Sequence, residues 1–179
     1  AERSDVLLVG KVTSAEQAGG YYVASEISTM PSREIVLPVG RALVPSYAKI
    51  AHSPEELRTA FLRVISFVAA VSFSASLGMA VIAEDFVLTV LGDQWVDGIP
   101  IFHWLAIYGA FLGVILGLQS YFQINRLERV LGLSYVGYVL LLLPSMVWVG
   151  YSGYPLEMIA QARLAITVVF FVWLMACIV

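Results

Sequence analysis

The sequence predicts an all-α, polytopic membrane helix bundle, and three observations carry that prediction. First, the 179 residues are 60% hydrophobic and 13% charged, against about 45–50% and roughly 25% in soluble domains, and the mean hydropathy is +0.86. Second, apolar runs of the ~20 residues a bilayer-crossing helix needs recur between short polar connections. Third, Lys and Arg collect in alternate connections, as the positive-inside rule demands of successive spans. The net charge of -3 argues against a nucleic-acid partner, which would require a basic face. The single Cys177, in a terminal apolar run, implies neither a disulfide nor a metal site. No cofactor is expected.

The elements follow in order. Ala1 to Asp5 is polar and lacks the basic region and apolar core of a signal peptide. The apolar run Val6 to Val12 is far too short to span. Together with a first residue other than Met, this predicts a chain that begins inside a helix of a longer protein. Thr13 to Gly20 reads as a turn-rich polar stretch.

Tyr21 to Tyr47 has spanning length but carries Glu26, Arg33, Glu34 and Arg41, with Pro31, Pro38 and Pro45 spaced seven apart. Seven residues at ~100° each return to nearly the same helical face, so the prolines form one seam. Each leaves the carbonyl four residues earlier (Ile27, Glu34, Arg41) without its usual donor. Such a helix suits a bundle beside water better than exposure to lipid. Ser53-Pro54-Glu55-Glu56 then predicts a capped start, with Ser53 capping, Pro54 at the first helical position and Glu56 completing a capping box.

Leu57 to Ile82 is the next predicted span, ended by Glu84-Asp85. Phe86 to Leu91 reads as an interfacial turn of helix before the polar Gly92–Gly98. Further spans are predicted over Ile99–Ile124, Val130–Val149 (containing Pro144) and Leu156–Val179. The expectation is thus five full spans plus a truncated first one, in a single transmembrane domain over 1–179.

Charges orient this bundle. Lys49, Arg58 and Arg63 lie in one connection and Arg126 and Arg129 in the next but one, while Glu84, Asp85, Asp93 and Asp97 occupy the connection between them. The Lys49 and Arg126 loops are therefore expected in the cytoplasm and the Asp93 and Gly153 loops outside, with Lys11 the exception. Gly109, Gly113 and Gly117 repeat along one helical face, and Ser72, Ser76 and Ala80 along another. Small residues at that spacing let helices approach closely.

No catalytic constellation emerges: HExxH, GxSxG and GxxxxGK[ST] are all absent, and His52 and His103 read as surface or interface residues. The charged residues placed within spans, Glu26, Arg33, Arg41 and Arg163 with Lys11 at the end of the truncated helix, are either interhelical pairs, snorkelling side chains or cavity groups. A cationic cavity could hold a phosphate or pyrophosphate through charge-assisted hydrogen bonds. Glu26 could instead serve a coupling ion or proton.

The run SDVLLVGKVTSAEQAGGYYVASEISTMPSREIVLPVGRALVPSYAKI from Ser4 to Ile50, followed by SPEELRTAFLRV and VLTVLGDQWVDGIPIFHWLAI, resembles the polysaccharide transporter family (O-antigen and exopolysaccharide flippases). This family belongs to the superfamily that includes multidrug exporters and lipid II flippases. The resemblance covers nearly the whole chain. It implies a second six-helix lobe whose N-terminal partner lobe is missing, in the bacterial inner membrane. It also implies alternating-access movement of undecaprenyl-pyrophosphate-linked oligosaccharide, with membrane lipids around the bundle and no covalent chemistry. Cavity-facing basic residues in that family make Lys11, Arg33 and Arg41 the expected contacts, beside Glu26. The alternative is a cation-coupled multidrug antiporter of the same superfamily, which needs an essential membrane carboxylate, here Glu26 or Glu34. An oligosaccharide polymerase would need a large outward loop that the chain lacks.

Overall fold

The computed structural model describes residues 15–50, 52–152 and 154–178. Five long helices make up nearly all of it: α1 (Ala15–Ile50), α2 (Pro54–Val81), α3 (Ile99–Ile124), α4 (Glu128–Tyr151) and α5 (Leu156–Ala176). Between α2 and α3 lie a helical turn at Ala83–Phe86, a wide π turn at Val87–Leu91 and a 3-10 turn at Asp93–Gly98. A helical turn is therefore present over the run expected from Phe86. It stops at Gly92, whose φ of +90° is a conformation L side chains rarely adopt.

Among the described residues, four helical segments are long and apolar enough to cross a membrane: Glu55–Val81, Asp93–Ile124, Glu128–Val149 and Leu156–Ala176. The expected count of five spans plus a truncated one is not reproduced. Helix α1 forms without a break across all three prolines, but its charges keep it outside that set. At ~1.5 Å per residue its 36 residues extend ~54 Å, well beyond the ~30 Å hydrocarbon layer. The truncated run at Val6 to Val12, with Lys11, lies outside the described residues.

Two local expectations are corrected. Gly19-Gly20 is not a turn; both residues lie inside α1. A glycine pair is a turn signal, but glycine is more frequent in membrane helices than in soluble ones, and here the helix runs on through both with the Trp95 ring near Gly20. At the start of α2, Ser53 occupies the cap position with Pro54 after it, yet no side-chain capping bond forms. The backbone holds the turn instead, with Leu57 N donating to Ser53 O at 3.0 Å. Ser53→Ala is accordingly expected to change thermal stability by less than about 0.5 kcal/mol. A melting shift of the size a lost cap gives, ~1 kcal/mol, would show that the box closes in solution.

Helix α3 is the axis of the bundle. It packs against α1, α2 and α5, whereas α4 packs chiefly on α5. The two small-residue faces meet antiparallel. Gly109 lies against Ser76 and the Ser28 carbonyl, Gly113 against Ser72, and Gly117 against Ile65 and Val68. Helix α1 joins the same seam with hydroxyls. Ser32 Oγ donates to Gly109 O at 2.6 Å and Ser28 Oγ to Phe102 O at 3.2 Å. Apolar clusters lie at either end of this seam, one around Tyr21, Phe102, Leu105 and Ile159, the other around Phe61, Leu118, Phe122 and Leu174.

Candidate functional site

Because α4 leans on α5 and makes no substantial contact with α1, a cleft of about 540 Å³ remains between them. Its floor is one face of α3, where Tyr108, Leu112, Ile115, Leu116 and Gln119 succeed one another at helical spacing, together with Arg163, Thr167 and Phe170 of α5. Arg33 and Leu37 of α1 form one wall, and Tyr135, Tyr138 and Leu142 of α4 the other. The volume falls within the roughly 300–1,000 Å³ of small-molecule sites.

Two guanidinium groups line the cleft. Arg163 is 2% exposed, and its Nη1 donates to Tyr21 Oη and Ser25 Oγ, each at 3.2 Å. Its Nη2 donates to Tyr108 Oη at 3.2 Å, and the guanidinium carbon lies 4.2 Å from the centre of the Tyr108 ring. Helices α1, α3 and α5 thus converge on one cation, held by hydroxyls and a ring face. Arg33 reaches the same cleft while Nη1 donates to Glu26 Oε1 at 3.1 Å. The two residues are seven apart, and the long arginine side chain bridges the intervening turns.

The other polar groups lining the cleft carry no charge. Gln119 Nε2 donates to Tyr135 Oη, and the hydroxyls of Tyr138 and Thr167 lie 3.1 Å apart. Tyr135 and Tyr138 both tilt against Phe170, with ring centres 5.1 and 5.0 Å away. Three further polar contacts lie outside the cleft. His103 Nδ1 lies 3.0 Å from Ala80 O, as suits an interface residue, and Glu157 accepts from Trp104 Nε1 and Gln161 Nε2.

Of the four residues expected in a cavity, Arg33 lines the cleft and Glu26 stands behind it as its 47%-exposed ion-pair partner. Lys11 and the side chain of Arg41 lie outside the described residues. Arg163 was legible only as a charge within an apolar run; its place at the cleft depends on Tyr21, 142 residues away, and Tyr108, 55 away. Gln119, Tyr135, Tyr138 and Thr167 carried no signal, since uncharged polar residues are ordinary in membrane helices. Chemically, the arrangement brings two guanidinium groups, one held by hydroxyls and one paired with Glu26, beside a neutral hydrogen-bonding surface.

Residues 1–100 match the model of a family described as polysaccharide biosynthesis protein. The chain is 32% identical over 108 residues to the lipopolysaccharide biosynthesis protein WzxC of Escherichia coli (strain K12), covering 60% of this chain and 22% of that protein. It is 33% identical over 103 residues to an uncharacterized membrane protein in the cps region of Klebsiella pneumoniae, covering 58% and 21%. To the teichuronic acid biosynthesis protein TuaB of Bacillus subtilis (strain 168) it is 33% identical over 105 residues, covering 59% and 22%. The chain thus spans about a fifth of the length of these relatives. No solved structure matches it.

Proposed function

Since the chain belongs to the polysaccharide biosynthesis protein family, and four of its helical segments can cross a membrane, we propose that it is part of a flippase. On this reading, it moves undecaprenyl-pyrophosphate-linked oligosaccharide across the bacterial inner membrane by alternating access, forming and breaking no covalent bond. The observation that carries the proposal is the pair Arg33 and Arg163 in one cleft among these helices. An intramembrane cation is costly unless it serves a pathway or a partner, and two forked guanidinium groups match the oxygens of a diphosphate.

In this reading the lobe is the second of two, and α1 is its first complete span. The Lys49 and Arg126 connections face the cytoplasm and the Asp93 and Gly153 connections the periplasm. The proline seam of α1 supplies a place to bend as the open side changes. Of the two carboxylates that a cation-coupled drug exporter could use, Glu26 is paired with Arg33 and Glu34 is exposed, which favours the flippase.

Arg33→Ala is expected to lower surface polysaccharide severalfold at unchanged protein level. Immunoblotting and glycan staining of the same cells measure both. Wild-type export by that variant would remove the cleft from the transport path.

A further inference from the structure

A second groove, of about 460 Å³, runs along another face of the α4–α5 pair and is apolar almost throughout. Val130, Leu133, Gly137 and Leu141 mark its course along α4, with Ile166 and Val169 across from them on α5. Gly137 keeps it open, since a Cβ there would meet nothing within 4 Å. The polar groups in its walls are already engaged. Trp173 Nε1 donates to Ser134 Oγ at 3.0 Å, and the Tyr138 hydroxyl lies 3.1 Å from that of Thr167. An occupant therefore gains by apolar contact and has no hydrogen bond to make until it reaches the mouth.

Length and charge identify that occupant. Val130 and Leu141 are eleven residues apart, so the groove follows ~16 Å of helix, about half of the ~30 Å hydrocarbon layer. Both α4 and α5 can cross a membrane, so a groove that starts at the outer end of α4 ends near the midplane. One acyl chain of one leaflet has that reach. Arg129 stands four residues before Leu133 and eight before Gly137, so the stripe that lines the groove continues one turn outward to a cation. Arg126, in the turn before α4, is exposed like Arg129, and Glu128 between them leaves the mouth net positive. The backbone of Arg126 has φ +56°, a left-handed conformation adopted by no other non-glycine residue among those described and one where asparagine or glycine is the easier occupant. A tryptophan near the mouth suits the headgroup boundary. A second copy of the chain is the poorer fit, because two copies of one membrane orientation would set the same arginines against each other across a two-fold interface. We propose that this groove seats an anionic phospholipid, with one acyl chain along Gly137 and the headgroup phosphate at Arg126 and Arg129. On the topology above, the lipid belongs to the cytoplasmic leaflet. The seat is independent of what the cleft carries.

The test adds phosphatidylglycerol or phosphatidylcholine, with identical acyl chains, to the delipidated protein in detergent and counts bound lipid by native mass spectrometry. Phosphatidylglycerol is expected to bind at least fivefold more tightly. The double variant Arg126→Gln/Arg129→Gln should bring it down to the phosphatidylcholine level, with phosphatidylcholine binding unchanged within twofold. Gly137→Phe should weaken both lipids at least fivefold, while its lipid-free melting temperature stays at that of wild type. If that variant fails to accumulate, Val169→Trp fills the groove from α5 at a side chain that is 63% exposed, with the same expected loss. Equal binding of the two lipids overturns the proposal, as does a phosphatidylglycerol preference that survives loss of both arginines. Undiminished binding to the groove-filling variants overturns it too. Dimerisation of the delipidated protein that Gly137→Phe blocks would give the groove to a second copy instead.

Discussion

Replacing Arg163 with Leu is expected to stop polysaccharide export while leaving the protein folded. The side chain is 2% exposed and makes three hydrogen bonds and a ring contact, an arrangement that suggests a structural keystone. The magnitudes argue otherwise. A cation at the centre of a membrane helix costs about 2.5–3.5 kcal/mol on insertion scales. Interhelical hydrogen bonds in membrane proteins average only about 0.6 kcal/mol each, and a desolvated cation–π contact adds roughly 2 kcal/mol. The two sides nearly cancel, so Arg163→Leu is expected to shift stability by no more than about 2 kcal/mol in either direction. Transport has no such compensation, because the leucine offers an anion nothing. Export should fall at least tenfold, and Arg163→Lys should restore it only in part, since an ammonium lacks the guanidinium fork. Measuring surface polysaccharide alongside thermal unfolding of the purified variants separates the two roles. An Arg163→Leu protein that fails to accumulate, or one that exports normally, would contradict the assignment.

Gly113→Val is expected to have the largest effect on the fold itself. A Cβ there would meet Ser72 Oγ in direct overlap, Ser72 Cβ at 2.8 Å and Ser32 Oγ at 3.2 Å. The obstructing Cβ belongs to a short side chain on a neighbouring helix, so α2 and α3 would have to separate. Overpacking of this kind typically costs 1–3 kcal/mol. Here it should reach about 3 kcal/mol, because three helices share the seam and the displacement propagates to the Ser32–Gly109 bond. Gly137→Val in α4 supplies the control, since nothing lies within 4 Å of its Cβ position. In size-exclusion profiles after graded heating, the Gly113 variant should lose its monodisperse peak well below the wild-type temperature, with the Gly137 variant unchanged. Equal tolerance of both would mean that α2 and α3 do not meet through these faces.

Much of this architecture was legible residue by residue. The run from Ile99 to Ile124 coincides with α3, and the small faces predicted on neighbouring spans are the ones that meet. Spacing and hydropathy specify such features locally. What was not legible depends on the third dimension. Gly19-Gly20 signals a turn, yet both residues lie inside α1. Ser25, Ser28 and Ser32 form the buried edge of α1, yet hydroxyls are nearly silent on a hydropathy scale. The cleft itself exists because α1 and α4 stay apart, and no periodicity within a single helix encodes which of its neighbours will be absent. Arg163 illustrates both cases: the anomaly of its charge was visible, but its partners were not.

The length of α1 bears on why that helix alone resists the hydropathy criterion. Even tilted by ~40°, the upper end of the usual range, a ~54 Å rod would project ~41 Å along the bilayer normal. That exceeds the ~30 Å apolar slab by about two helical turns. Taken as a span, α1 must therefore be solvated by hydrocarbon over part of its length and by headgroups and water over the remainder. Averaging along it mixes two solvents, and its charges record where one gives way to the other.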